Sequence, residues 1–201
     1  MSTLMNIMKD RILVVGSASP RRHQLIAGLD IPFTIEIGGN SDEYFDPSME
    51  KQLVPLHLAK MKSNSFGREL SQAEVLLTAD TLVICNGKIL GKPSNRNEAI
   101  EMLQTLSGKV HTVITGVCLK SIKGEALFSA STDVFFRVLS NEEIEFYVDK
   151  YKPYDKAGSY GAQEWIGYVA IEKIEGSYFN VMGLPVQKLY TELHKFIKAG
   201  Y

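Results

Sequence analysis

Two arginines lie where a positive charge is unfavourable unless an anion binds nearby. Residues 16–22 read GSASPRR, in which Ser19 is the expected helix N-cap and Pro20 the first helical residue. Arg21 and Arg22 then fall in the first helical turn, where unpaired N–H groups already create partial positive charge. The pattern predicts a bound anion such as a phosphate group. The alternative is that both side chains point into solvent or pair with distant carboxylates.

A carboxylate interrupts the most apolar run of the chain. Asp80 lies with Thr78 and Thr81 inside residues 75–85, which otherwise read as a buried strand. Because an unpaired carboxylate is costly to bury, Asp80 is expected to bind a metal ion, act as a base or order a water. The alternative is a strand-end aspartate bonded to nearby backbone.

A further carboxylate pair, Asp42 and Glu43, follows a Gly-Gly-Asn turn. Hard ions such as Mg²⁺ prefer oxygen ligands and share them with waters and substrate phosphates, so Glu43 is the second candidate metal ligand. Such a pair is also commonly solvated loop charge. The four histidines are scattered without ligand spacing, which disfavours zinc.

Polar residues elsewhere could contact a nucleotide. Lys62 and Lys92 could each reach a polyphosphate, as could Lys156, although solvent exposure is the commoner state of a lysine. Residues 155–163 read DKAGSYGAQ, whose small residues would let backbone approach a ligand, while Gln163 offers a donor and an acceptor to a base edge. An ordinary surface loop is the alternative. Neither GxxxxGK[ST] nor GxGxxG occurs.

Hydrophobic periodicity and turn signals predict the elements that position these residues. The class is α/β with a mixed sheet. Predicted strands cover residues 12–16, 32–37, 75–85, 88–90, 110–119, 126–138 and 168–174, with a tight hairpin at Asn86-Gly87. Five helices are predicted: from Pro20 to residue 29, over residues 54–66, from the Asn95 cap to residue 106, from the Ser140 cap to residue 150, and over residues 185–198. The lysines of the helix over 54–66 are expected to face outward.

Composition narrows the function classes. A formal net charge of −1 over 201 residues argues against a protein that holds long nucleic acid, so any anionic ligand must be small. Cys85 and Cys118 lie in apolar runs typical of reduced core residues, which predicts a reducing, cytoplasmic compartment. No apolar run approaches the about 20 residues that cross a bilayer, and the first ten residues do not resemble a secretory signal. The absence of repeats or linkers predicts one continuous domain.

Taken together, five short motifs resemble the Maf family of nucleotide pyrophosphatases in order and spacing. They are SASPRR at 17–22, ADT at 79–81, GKP at 91–93, DKAG at 155–158 and GLP at 183–185. The resemblance covers about residues 11–190. It implies a single Maf-like domain over residues 1–201, an elongated mixed α/β sheet with flanking helices and a cleft between two lobes, and a homodimer.

The resemblance also implies an activity and roles for individual residues. The reaction is hydrolysis of a nucleoside triphosphate to the monophosphate and pyrophosphate with divalent Mg²⁺ or Mn²⁺. Asp80 would be the general base and, with Glu43, a metal ligand, while Ser17, Arg21, Arg22, Lys62 and Lys92 would contact phosphates. Arg21, Thr81 and Gln163 match the specificity positions of the branch that acts on dTTP and UTP, with modified pyrimidine nucleotides as further candidates.

One segment departs from the family pattern, and two other functions stay open. After Gln163 many Maf proteins continue with glycines, whereas this chain reads EWIG at 164–167, which alters the expected base pocket. A 7-methyl-GTP pyrophosphatase is the first alternative function. The second is a nucleotide-binding regulator of septum formation that needs no turnover.

Overall fold

The computed structural model describes residues 3–38 and 44–201. Within them, seven strands form one mixed sheet in the order β2-β1-β3-β5-β6-β7, with β4 paired to β3. The strands are β1 Ile12–Val15, β2 Phe33–Ile35, β3 Glu74–Cys85, β4 Lys88–Leu90, β5 Val110–Ser121, β6 Gly124–Phe136 and β7 Ile171–Glu175. The predicted α/β class with a mixed sheet is confirmed.

Helices connect and flank these strands. In chain order they are α1 Leu4–Ile7, α2 Pro20–Ala27, α3 Val54–Asn64, α4 Arg96–Leu106, α5 Asn141–Tyr151, α6 Trp165–Ala170, α7 Tyr178–Met182 and α8 Val186–Lys198. A 3-10 turn, Ala157–Ser159, precedes α6. No helix of the described ranges is both long and apolar enough to span a membrane.

The chain forms two compact units. The first contains the described residues up to Asp80 together with Thr115–Ala130 and Gly183–Tyr201, and the second contains Thr81–Ile114 and Ser131–Met182. Asp80 is therefore the last residue of one unit, and Thr81 begins the other.

Parallel strands build the core of the first unit. β1 pairs in parallel with β2 and with β3, and Leu13, Val14 and Val15 are buried, as expected for a short apolar strand covered on both faces. Helix α3 packs against β5 so closely that a Cβ added at Gly116 would lie 2.3 Å from the backbone nitrogen of Leu56. Only glycine permits this contact.

The second unit is centred on side chains from α4, α5 and the sheet. Leu103, Val134, Ile144 and Tyr147 belong to its buried cluster. Asn95 and Ser140 cap α4 and α5 as predicted, since each side chain accepts a hydrogen bond from the residue three positions on. Ser140 and Glu143 complete a capping box.

The predicted hairpin is also confirmed. β3 and β4 are antiparallel with Cys85 opposite Lys88, and the two turn residues adopt φ of 49° at Asn86 and 70° at Gly87. Positive φ at both central residues matches the right-handed twist of the flanking strands.

The prediction of a strand over residues 168–174 was wrong at its start. Residues 165–170 form α6, and β7 begins only at Ile171. The chain bends sharply here, since a Cβ at Gly167 would lie 1.8 Å from the carbonyl oxygen of Ala162. The β-branched and aromatic residues favour a strand locally, but tertiary contacts override that preference. Helices α1 and α7 were not predicted.

Candidate active site

The loop from β1 to α2 lies against β3. The N–H of Gly16 donates to the carbonyl of Leu77 at 2.8 Å, and a Cβ at Gly16 would lie 3.0 Å from Cγ2 of Thr78. α2 begins at Pro20 with Ser19 at the N-cap position, as predicted. Within the described residues, however, the Ser19 side chain makes no capping hydrogen bond.

Arg22 points into the structure and binds backbone carbonyls. Its Nε donates to the carbonyl of Gly183 at 2.9 Å, and its Nη1 donates to the carbonyl of Ala79 at 2.8 Å and to Oγ of Ser17 at 3.3 Å. The alternative that both arginines point into solvent is therefore wrong for Arg22. The guanidinium connects the start of α2 to the residue that precedes Asp80.

Ser17 is held from two directions. Its hydroxyl accepts from the N–H of Ser19 at 3.3 Å as well as from Arg22. Nε2 of His23 lies 2.6 Å from the Ser17 carbonyl oxygen, a contact that no sequence signal pointed to. Arg21 is half-buried in the same helical turn. Polar side chains thus connect the loop after β1 to the first turn of α2.

Asp80 forms an ion pair with Lys62. Nζ of Lys62, in the last turn of α3, lies 2.5 Å from Oδ1 of Asp80, and the two side chains are 21% and 11% exposed. The prediction that the lysines of this helix face outward was wrong for Lys62, whereas Lys60 pairs with Glu125 at a partly exposed position. Asp80 also lies in the middle of β3, which excludes the strand-end alternative. The ammonium compensates the charge of a carboxylate that would otherwise be buried alone.

A hydrogen bond between α3 and β3 sets this pairing. The hydroxyl of Thr78 donates to the carbonyl of Ala59 at 2.7 Å, and both groups are buried. Thr78 lies two residues before Asp80, and Ala59 lies three residues before Lys62. The bond therefore holds the helix and the strand in the register that brings the ammonium and the carboxylate together.

The donor set for a divalent ion is small. Among residues 3–38 and 44–201, no group of three His, Cys, Asp or Glu side chains could hold a metal ion. Asp80 is the predicted ligand that the structure describes, while Glu43 lies outside the described residues. Mg²⁺ is typically bound through one or two carboxylates plus waters and substrate phosphates. Asp80 is therefore suited to an ion that binds together with waters and substrate phosphates.

In the second unit, two predicted segments are neighbours. The N–H of Gly158 donates to the carbonyl of Gly91 at 3.0 Å, which joins the GKP segment to the DKAG segment. Gly158 has φ of 68°, and a Cβ there would lie 3.0 Å from the side chain of Val83. The positive φ favours glycine here, and any side chain would also crowd Val83. Lys92, next to Gly91, is exposed, and Thr81 is half-buried.

Residues 155–164 do not form an ordinary surface loop. Lys156 is buried, and its Nζ contacts the carboxylates of Asp155 at 2.7 Å and Glu164 at 3.0 Å. The suggestion that Lys156 reaches a polyphosphate is therefore disfavoured, because two carboxylates of its own loop hold the ammonium. Sequence reasoning missed Glu164 as a partner.

Gln163 carries an unpaired acceptor. Its Oε1 is buried and has no hydrogen-bond partner within the described part of the chain. A buried amide oxygen without a donor is unfavourable in a protein, and such groups are uncommon. The atom is therefore suited to accept an N–H from a bound ligand.

The predicted residues thus fall into two sets. Ser17, Arg22, Lys62 and Asp80 are connected in the first unit through direct contacts and the Ala79 carbonyl, with Arg21 in the same helical turn. Thr81, Lys92 and Gln163 belong to the second unit. The peptide bond between Asp80 and Thr81 links one set to the other.

Comparison with known proteins identifies similar chains of nearly equal length. The family described as Maf-like protein matches residues 12–196. A dTTP/UTP pyrophosphatase of Porphyromonas gingivalis strain W83 is 48% identical over 195 residues, which cover 96% of this chain and 98% of that protein. Proteins of the same name from Bacteroides fragilis and Parabacteroides distasonis are 50% and 49% identical, covering 90% and 96% of this chain and 94% and 100% of their own lengths.

Proposed function

The chain belongs to the Maf family, and from this premise we propose that it hydrolyses dTTP and UTP to the nucleoside monophosphate and pyrophosphate. The name dTTP/UTP pyrophosphatase, borne by relatives that match nearly the whole chain, supports the substrate class. The observation that carries the proposal is the Asp80–Lys62 pair, a nearly buried carboxylate held by one cation at 2.5 Å.

Asp80 acts on the attacking water. It accepts a proton as the water oxygen bonds to the α-phosphorus and the bond from that phosphorus to the α–β bridging oxygen breaks. Pyrophosphate leaves with the bonding electron pair. Lys62 holds Oδ1 of the carboxylate, which orients the base toward a single direction of attack.

Cationic groups stabilise the charge that develops on the phosphates. Arg21, Lys92 and the first-turn amides of α2 are the donors we assign to the phosphate oxygens, together with the Ser17 segment. Arg22 keeps this segment and the backbone before Asp80 in place through its carbonyl contacts. A divalent ion, Mg²⁺ or Mn²⁺, bound by Asp80, Glu43 and the substrate would neutralise phosphate charge and polarise the reacting phosphoryl group.

Gln163 recognises the base. Uracil and thymine share an N3–H donor and an O4 acceptor, which an amide can match with its oxygen and its nitrogen. The unpaired Oε1 supplies the acceptor for N3–H. Cytosine presents an acceptor at N3 and a donor at C4, so the same amide orientation disfavours it. Arg21 and Thr81 are the further specificity residues.

The test is turnover by the purified full-length protein. Each common nucleoside triphosphate and 7-methyl-GTP would be incubated with Mg²⁺, Mn²⁺ or chelator, and the products separated by chromatography. Metal-dependent formation of UMP, dTMP and pyrophosphate is expected. Preferential turnover of 7-methyl-GTP, or tight nucleotide binding without any product, would contradict the proposal.

The remaining expectations from the sequence stay predictions. They are a single Maf-like domain over residues 1–201, a homodimer, a cytoplasmic location, and ligands limited to small nucleotides. Cys85 and Cys118 are both buried free thiols, in keeping with a reducing compartment.

A further inference from the structure

The hydroxyl of Tyr147 connects both ends of the turn that carries Gln163. Tyr147 lies on α5 and is fully buried. Its hydroxyl donates to Oε2 of Glu164 and accepts from the N–H of Gly161 at 3.1 Å. The N–H of Glu164 in turn donates to the carbonyl of Gly161 at 2.9 Å. Gln163 therefore lies inside a closed turn that one buried hydroxyl holds at both ends.

Glu164 receives a second contact from Lys156. Oε1 of Glu164 lies 3.0 Å from Nζ of Lys156, while Oε2 accepts from Tyr147. Both oxygens of the carboxylate are thus engaged, which fixes the side chain instead of leaving it to rotate. Burial and the neighbouring Glu164 carboxylate raise the pKa of Tyr147 well above its usual range, so the hydroxyl stays protonated and available as a donor.

Gly161 brings these side chains next to the Gln163 amide. A Cβ at this position would lie 3.0 Å from Cδ of Glu164, 3.1 Å from Cε of Lys156 and 3.2 Å from Nε2 of Gln163. The nitrogen end of the amide therefore lies beside the ion pair, and a side chain at position 161 would crowd both. The oxygen end is the one without a partner among the described residues.

From this arrangement we propose that Tyr147 and Glu164, with Lys156, are positioning residues for base selection, because they fix the turn and the orientation of the Gln163 amide. The inference rests on the proposed function and deepens it. If the side-chain amide could rotate and exchange the positions of its oxygen and nitrogen, its donor and acceptor would be reversed, and it would match cytosine as well as uracil. Discrimination therefore requires that the amide be held.

The segment that follows Gln163 therefore has a role in this arrangement. Glu164 supplies the carboxylate that joins Lys156 to Tyr147. We assign it to the support of the base-reading amide. Its role is in base recognition, whereas Asp80 and Lys62 act on the water that attacks the α-phosphorus.

The experiment compares Tyr147→Phe and Glu164→Gln with the unaltered protein and with Tyr151→Phe. Tyr151 stacks on Tyr147 at 5.1 Å between ring centroids, so its variant removes a hydroxyl from the adjacent ring of the same helix. Steady-state kcat and KM would be measured for UTP, dTTP and CTP, with thermal unfolding as a check on folding.

Both test variants are expected to raise KM for UTP and dTTP about tenfold and to lower the UTP-to-CTP ratio of kcat/KM about tenfold. The kcat for UTP should change by less than about twofold, because the groups that act on phosphorus are untouched. Tyr151→Phe should match the unaltered protein. Folded variants that keep the full UTP-to-CTP ratio would overturn the inference while leaving the proposed function intact, whereas an unaltered protein without UTP turnover would overturn both.

Discussion

The ammonium of Lys62 lies 2.5 Å from the carboxylate of Asp80, although the two residues come from different elements, α3 and β3. Each residue stabilises the other in its position. The carboxylate holds the lysine in the structure, and the lysine makes a carboxylate tolerable in an apolar strand. We therefore expect catalysis to require the Asp80 carboxylate itself, and stability to require that the carboxylate and the Lys62 ammonium are both present.

Asp80→Asn is expected to lower kcat about a thousandfold while nucleotide still binds, because the amide cannot accept the proton of the attacking water. Product formation and equilibrium binding of UTP would be measured on the same preparation. Retained turnover would contradict the role of Asp80 as base.

Lys62→Met is expected to lower the free energy of unfolding by about 2 kcal/mol, because it leaves the Asp80 carboxylate without its cation. In combination with Asp80→Asn the same change should cost much less. Denaturant unfolding of the two single variants and the double variant would give the coupling energy. Additive losses would show that the pair contributes no net interaction.

Arg22→Lys is expected to lower the free energy of unfolding by about 2 kcal/mol and to reduce kcat as well. An ammonium cannot reproduce the fork that donates to the carbonyls of Ala79 and Gly183. Arg96→Lys is the control, since Arg96 pairs with Asp149 on an exposed surface and should change stability by about 0.5 kcal/mol or less. Equal effects of the two substitutions would argue against a positioning role for Arg22.

Gly116→Ala is expected to destabilise the first unit by about 3 kcal/mol, because the new methyl group would meet the backbone of Pro55 and Leu56. The backbone of α3 would have to shift, and with it Lys62. Gly28→Ala is the matched control, since its nearest contact would be an ordinary 3.5 Å at helical φ. Denaturant midpoints of both variants test this, and a neutral Gly116→Ala would contradict the close helix–strand contact.

His111 should make stability depend on pH. It is buried, with Nε2 2.7 Å from the hydroxyl of Tyr160, and its Nδ1 has no partner within the described ranges. Burial lowers the pKa of His111 from 6.5 to about 4. The unfolded chain therefore binds a proton more readily than the folded one, so this stability is fully present above pH 6.5 and is lost as pH falls through 4.

The pH effect is measured by comparison with a variant that does not titrate. Between pH 7 and pH 4 the unaltered protein is expected to lose about 3 kcal/mol more than His111→Gln. Urea unfolding at several pH values in this range would show it. Parallel curves for the two proteins would mean that His111 does not titrate as proposed.

Much of the fold could be predicted because its signals are local. The caps at Asn95 and Ser140 and the Asn86-Gly87 hairpin involve residues within four positions of one another. The error at residues 168–170 arose where a distant restraint prevailed. Glu164, which precedes α6, is held by Tyr147 and Lys156, and the chain bends instead of extending.

By itself the sequence determined most of the strands and longer helices, the family and the candidate residues. A carboxylate in an apolar strand and two arginines at a helix start are unfavourable locally, which makes them recognisable in a sequence. Only the tertiary structure decided which groups meet. Arg22 binds a carbonyl 161 positions away, and Gly161 binds a hydroxyl 14 positions away. Such partners are chosen by the packing of whole elements, whose free energy is summed over many side chains and is not encoded in any one segment.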